Sequence, residues 1–244
     1  DIGHLFSRVA NPSGVYVAGQ AALSGVCTQI EKAVAGSSLP NPDGEDFYLI
    51  IAHEMGHQFS ATHTFNSCPP AQDALTGGTA YEPGGGSTIM SYATTCTPDI
   101  VDDRDAYYHV ANIEQVMNFI TVEVGSTCPQ AIETDNNFPV VSIPLTDGFY
   151  IPISTPFDLT GIVTDENNDN LTYSWEEFDL GPSVPLGQPI ENSPIFRSLP
   201  PSTSPTRTFP RMQTIVANTS TDTEVLPTYN RELRFKLTAR DNAP

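Results

Sequence analysis

The sequence predicts an α+β region over residues 1–130 followed by an all-β sandwich over 131–244. Three observations carry that division. All five histidines and all four cysteines lie before residue 130. The two stretches with the best helical apolar period lie there too. Beyond it come short runs of alternating apolar and polar residues, broken by proline and by Asn/Asp clusters. The boundary falls in PQAIETDNNFP (129–139), whose polar residues and flanking prolines read as a linker.

Along the chain, GVYVAGQAAL (14–23) reads as a strand. GEDFYLIIAHEMGHQFSA (44–61) reads as a helix. Glu45 and Asp46 fall in its first turn, where acid suits the positive end of the helix dipole. Phe47, Ile50, Ile51 and Met55 recur at spacings of three and four and form an apolar stripe. PPAQDALTGGTAYEPGGGS (69–87), with five glycines and three prolines, reads as a loop. Its Gly84-Gly85-Gly86 is expected to form a flexible rim to a cleft, and equally reads as a disordered insertion. A second helix fits HVANIEQVMNFI (109–120), with Val110, Ile113, Val116, Met117 and Ile120 on one face. In the second part, FPVVSI (138–143) and FDLTGIVT (157–164) read as strands. Leu171, Tyr173 and Trp175 share one face of LTYSWEEF, and Leu233, Phe235, Leu237 and Ala239 one face of RELRFKLTAR. Trp175, the only tryptophan, is expected as a core anchor.

The bulk composition narrows the function. Lys+Arg number 10 against Asp+Glu 29, a net charge of −19, which argues against nucleic acid as a partner because phosphate binding needs clustered positive charge. No apolar run approaches the roughly 18–20 residues that span a bilayer. The chain has no initiator Met and no signal peptide at its front, so a processed or cloned piece is expected. Cys27, Cys68, Cys96 and Cys128 form no C-x-x-C pair. An even count with few lysines and many Thr, Asn and Pro suggests two disulfides, an oxidising compartment and hence a secreted protein. Three pairings are possible.

The chemistry concentrates in HEMGHQFSATH (53–63). On a helix, residues four apart share a face, so His53 and His57 can present two imidazoles to one ion. Glu54 is rotated by about 100° from His53, where its carboxylate can reach a water without ligating. This is the arrangement of two zinc ligands and a general base. His63 would lie roughly 9 Å further along a continuing helix, too far to share the ion. The helix must therefore stop and the chain turn back, which requires a residue able to adopt a left-handed backbone, usually glycine. Ser60 stands there, at a cost of about 1 kcal/mol relative to glycine. A bound zinc, contributing on the order of 10 kcal/mol, tolerates that cost.

At this point the sequence resembles a family. The run His53-Glu54-Met55-Gly56-His57-Gln58-Phe59-Ser60-Ala61-Thr62-His63, followed by STIMSYA (87–93), is similar to the metzincin zinc metalloproteases, with Ser60 in place of their glycine. DIGHLF (1–6), GQAALSGVC (19–27) and HEMGHQFSATHTFN (53–66) look closest to the secreted bacterial members of the reprolysin (adamalysin-like) branch. The resemblance implies zinc on His53, His57 and His63 and Glu54 as general base. It places Met90 beneath the metal as the Met-turn. It implies a substrate-pairing edge strand within 19–27 and the disulfides Cys27–Cys128 and Cys68–Cys96. Protein or peptide substrates follow. Tyr92, two residues after Met90, matches a tyrosine that can stabilise the oxyanion in astacin- and serralysin-like relatives, and equally reads as a packed turn residue. Such domains normally carry several strands and helices before DIGHL, so the catalytic domain is expected to be N-terminally incomplete. Its missing N-terminal part or a propeptide is an expected partner. His4 and His109 read as structural or surface residues.

Two expectations remain. TDENNDN (164–170) offers Asp165, Asn167 and Asp169 as candidate calcium ligands, with Asp135, Asn136 and Asp241 nearby as contributors, and equally reads as a polar turn. The strand pattern of 131–244 is similar to the immunoglobulin-like or PKD-like modules of secreted bacterial enzymes. The competing function is an adhesion or binding protein with a structural, non-catalytic zinc; an intact Glu54 argues against it.

Overall fold

The structure is a computed structural model that describes residues 2–7, 18–39, 44–69, 78–98, 100–101, 104–144 and 147–243. It is a mixed α/β fold with few helices and small sheets. In the histidine-bearing part, β1 (Leu5–Ser7), β2 (Gly19–Ala21) and β3 (Ala35–Ser38) form a sheet of order β1-β3-β2. β1 runs parallel to β3 and β2 antiparallel to it, which leaves β2 at an edge. Of the strand expected over 14–23, residues 14–17 lie outside the described residues.

Helix α1 (Glu45–Gln58) packs against β2 and β3. It buries Phe47 and Ile50, as the stripe implies, and Leu49 as well, but Ile51 is half-buried and Met55 is 36% exposed. His53, Glu54 and Gly56 share one buried side of the helix with Phe47, Leu49 and Ile50, and the helical turn of about 100° per residue carries Met55 to the opposite, exposed side. Helix α2 (Val110–Thr121) is capped by His109, whose Nδ1 accepts the Ala111 N–H at 3.2 Å. It buries Val110, Ala111, Asn112 and Phe119, while Met117, expected on the core face, is 44% exposed. A short 3-10 turn (Val124–Thr127) follows. The disulfides are Cys27–Cys128 and Cys68–Cys96.

The expected loop is corrected in part. Residues 70–77 lie outside the described residues. The Gly84-Gly85-Gly86 run is buried rather than a flexible rim. A Cβ at Gly85 would come 2.5 Å from Cys96 Sγ, and one at Gly86 (φ +70°) 2.6 Å from the Ser91 Cβ. The absence of side chains lets this loop thread beneath the disulfide instead of projecting into solvent.

After residue 130 the described strands pair in twos. β4 (Val140–Ser142) pairs β6 (Ile162–Thr164), β5 (Phe157–Thr160) pairs β8 (Thr206–Phe209), and β7 (Thr172–Glu177) pairs β9 (Phe235–Arg240), all antiparallel. A short helix α3 (Met212–Val216) follows β8. FDLTGIVT thus divides at Gly161 between two sheets. Trp175, Ile195, Phe196 and Phe209 form the core, with Phe157, Phe235 and Leu237 against them. Trp175 anchors it as expected, and its Nε1 donates to the Pro205 carbonyl at 3.0 Å.

Each face of β7 buries a carboxylate, Glu176 on the polar face and Glu177 on the face of Trp175. Glu176 and Glu177 are 0% and 1% exposed. Glu177 Oε2 accepts the Ile195 and Phe196 N–H groups at 2.7 and 2.6 Å, and its Oε1 pairs with Arg231 at 3.2 Å. Glu176 faces the histidine-bearing part. Its Oε2 accepts the Val110 N–H at 2.9 Å, and its Oε1 accepts Ser198 Oγ, which in turn accepts Tyr107 Oη at 2.8 Å. Arg197 pairs with Asp105 at 2.9 Å, and Asn66 Oδ1 accepts the Val184 N–H at 3.1 Å. The two parts therefore meet through satisfied polar groups. No helix among the described residues is long and apolar enough to cross a membrane.

Candidate metal centre

The site is built where α1 ends. Ser60 has φ +77°, the left-handed backbone its position requires. The Ser60 N–H bonds the His57 carbonyl and the Ala61 N–H bonds the Gly56 carbonyl, both at 2.9 Å. These are the paired bonds of a Schellman ending. Ser24 Oγ donates to Ser60 Oγ at 3.0 Å, which gives the serine a partner a glycine would lack. The turn also orients a ring, because the Ala61 carbonyl lies 2.8 Å from His57 Nδ1.

With the chain reversed, three imidazoles converge. His63 Nε2 lies 3.2 Å from His53 Nε2 and 3.1 Å from His57 Nε2. Tetrahedral zinc with nitrogens at 2.0–2.1 Å would hold its ligands about 3.3 Å apart. His53 Nδ1 is 2.7 Å from the Ile89 carbonyl, so Nδ1 of both His53 and His57 carries the proton and Nε2 is left as the lone pair facing the others. Among the described residues, these three histidines are the group whose ligand atoms gather within one metal-sized space. The donor set fits zinc.

Burial lowers the pKa of all three imidazoles. For His53, His57 adds to it; His63 falls to about 4 with help from His57 and the Arg104 charge. All three are thus neutral at physiological pH, the form that binds a cation. Glu54 moves the other way: burial raises it to about 7, against the opposing pull of the Arg104 guanidinium. A Cβ on Gly19 would overlap the Glu54 carboxylate, so only glycine in β2 leaves that carboxylate its place.

Met90 is fully buried with Leu49, Ala61 and Ile89. A Cβ on Gly56 would come 2.5 Å from Met90 Sδ, which accounts for a glycine directly before His57. The Tyr92 ring lies 4.5 Å from the His63 ring and stacks on Phe65 at 4.6 Å. It is packed at the site's edge.

Several supporting residues carry no motif. Gln115 Oε1 accepts the Thr62 N–H at 3.0 Å, its Nε2 donates to Thr62 Oγ1 at 2.9 Å, and Asn112 Nδ2 donates to the Thr62 carbonyl at 2.8 Å. They hold the residue before His63 from α2. Asn112 and Gln115, polar residues at i and i+3 of α2, were the available signal, although Glu114 and Asn118 beside them are polar too. His4 bonds Ser37 Oγ at 2.9 Å and is structural, as expected. Among the calcium candidates, Asp165 Oδ2 and Asn136 Oδ1 are buried with no hydrogen-bond partner. Asp165 Oδ1 accepts the Asp169 N–H, while Asn167 ties the turn to residues 135 and 137 through its own amide.

Residues 1–119 match the family model described as metallo-peptidase family M12B, reprolysin-like. The match spans just under half of the chain and contains the three histidines, Glu54, Met90 and Tyr92. A comparison with curated proteins finds no match.

Proposed function

We propose that the chain is a secreted zinc-dependent endopeptidase of the metzincin type. Residues 131–244 would be a separate immunoglobulin-like module. The observation that carries the reading is the meeting of three neutral Nε2 atoms beside a buried carboxyl poised near neutrality. His53, His57 and His63 hold the metal. When bound, zinc acts as a Lewis acid toward a peptide carbonyl and a water. Glu54, with a pKa of about 7, accepts the proton of the attacking water and passes it to the leaving amine. An extended peptide pairs along β2, an edge strand among the described residues, whose Gly19 adjoins Glu54, so the scissile bond is delivered to the base. Met90 supports the floor under His57, and Tyr92, beside His63, is the candidate donor to the oxyanion.

The test is casein hydrolysis by the chain before and after chelation, after zinc is restored, and by Glu54→Gln. Activity lost with chelator, regained with zinc and at least 100-fold lower in the variant supports the proposal. Hydrolysis by the variant at the parental rate defeats it.

A further inference from the structure

Glu82 is a buried carboxylate that the proposed chemistry does not use. It is 1% exposed and sits in the glycine-rich loop. Burying a carboxylate costs several kcal/mol unless its oxygens are satisfied. Here they are. Oε2 accepts the Ser87 N–H at 2.7 Å and the Thr88 N–H at 3.2 Å. Oε1 accepts Thr64 Oγ1 at 2.6 Å and Thr88 Oγ1 at 2.5 Å. Thr64, Ser87 and Thr88 are themselves 0% exposed.

These donors belong to the two segments that set the metal site. Thr64 follows His63. Thr88 precedes Ile89, whose carbonyl orients His53, and Met90, which lies under Gly56. The backbone repeats the connection. The Glu82 N–H bonds the Thr64 carbonyl and the Asn66 N–H bonds the Glu82 carbonyl, both at 2.8 Å, while the Thr64 N–H reaches the Met90 carbonyl at 3.3 Å. A Cβ on Gly86 would press on both Ser91 and Glu82, so the loop closes tightly around this carboxylate.

We propose that Glu82 is a positioning residue of the metal centre, whose carboxylate fixes the separation of His63 from the turn that orients His53. The inference rests on the three histidines being the zinc ligands. Loss of the carboxylate lets the two segments drift apart, so the third nitrogen is no longer held in place. A loop-stabilising role alone would lower stability and leave the metal geometry intact.

The experiment compares the parent chain, Glu82→Ala, Glu82→Gln and Phe209→Leu. Zinc affinity is read by competition with a chromophoric chelator, the site's symmetry by the visible bands of bound cobalt(II), and stability by thermal unfolding. Replacing a group that orients metal ligands weakens binding by roughly 10–100-fold. Glu82→Ala is expected near the upper end with altered cobalt bands. Glu82→Gln, which keeps the shape and one acceptor oxygen, is expected near ten-fold, and it decides the question if the alanine variant does not fold. Phe209→Leu, in the β-rich core, is expected to lose stability and keep the parent's affinity and bands. Parental affinity and bands in Glu82→Gln overturn the inference, as does an equal loss of affinity in Phe209→Leu. A parent chain that binds no zinc defeats the ligand assignment first, and this inference with it.

Discussion

The histidine-bearing part and the β-rich part are held together by different physics. The first has small apolar clusters: Leu49, Ala61, Ile89 and Met90 in one, Phe65 with Cys68 and Cys96 in another. Around them lie two disulfides and a web of buried polar groups, with Gln58, Thr64, Glu82, Ser87, Thr88 and Asn112 at 0–1% exposure. The second also buries charged groups, Glu176, Glu177, Asp179 and Glu224, but it contains no cysteine and is centred on a continuous aromatic cluster, in which Phe157, Phe196, Phe209 and Phe235 touch one another with ring centroids 4.6–6.1 Å apart. The difference shows what a reactive site requires. Apolar packing is tolerant and non-directional. Three lone pairs aimed at one point need directional bonds, and covalent cross-links compensate for the core those bonds displace.

The comparison can be broken most strongly at the long disulfide. Cys27–Cys128 closes a span of 101 residues, and removing it by Cys27→Ala with Cys128→Ala is expected to cost roughly 4–5 kcal/mol in the chain-entropy picture. Denaturant unfolding followed by Trp175 fluorescence, which reports the β-rich core, is expected to change much less than far-ultraviolet dichroism, which reports α1 and α2. Coincident shifts in both probes would show that the two parts do not differ in this way.

The reverse experiment is Phe209→Ala. Phe209 is 0% exposed at the centre of the aromatic cluster, and its truncation is expected to cost about 3–5 kcal/mol, read first by Trp175.

Acid sharpens the contrast. In metal-free protein the imidazoles, ordinarily near 6.5, are lowered, His63 to about 4. Between about pH 4 and 6.5 the unfolded chain therefore binds more protons than the native one, and native stability rises with pH. Glu54 opposes this. Its pKa is raised from 4.5 to about 7, so across that interval the native chain holds a proton the unfolded chain has lost, and stability falls with pH. Glu177, raised by burial to about 8, and Asp179, also raised by burial, act in the same direction as Glu54, so the contributions are separated by difference. Between about pH 4.5 and 6.5 the thermal stability of chelated Glu54→Gln is expected to gain more with rising pH than that of the chelated parent, and identical profiles contradict the burial argument for Glu54.

The smallest expected effect is Ser60→Gly. Relief of the left-handed serine gains about 1 kcal/mol, and loss of the Ser24 hydroxyl contact forfeits about 0.5–1.5 kcal/mol. The sum is expected within about 0.5 kcal/mol of zero in chemical denaturation, with zinc affinity unchanged.

What the sequence revealed follows the same line. The histidine convergence and the reversal at Ser60 were legible because helix period and chain reach alone demand them. Trp175 and the strands β4 to β7 and β9 were legible because period two is local, whereas β8 and the pairing partners were not read. The disulfide pairing came from family resemblance, since three pairings fit the chain equally. Glu82, Glu176 and the Gly84–Gly86 run were misread or missed. An acid in a glycine-rich loop, or on the polar side of an alternating strand, looks solvated until its donors are known. Those of Glu176 come from Val110 and Ser198, 66 and 22 residues away. Local pattern carries no information about such partners.

The central claim is that His53, His57 and His63 share one zinc and leave a position open for chemistry. X-ray absorption spectroscopy of the zinc-loaded chain tests it most directly. The account expects one zinc per chain with three imidazole nitrogens at about 2.0–2.1 Å and one oxygen, falling to two imidazoles in His63→Ala. A fourth protein ligand, or a shell unchanged by loss of His63, would contradict it.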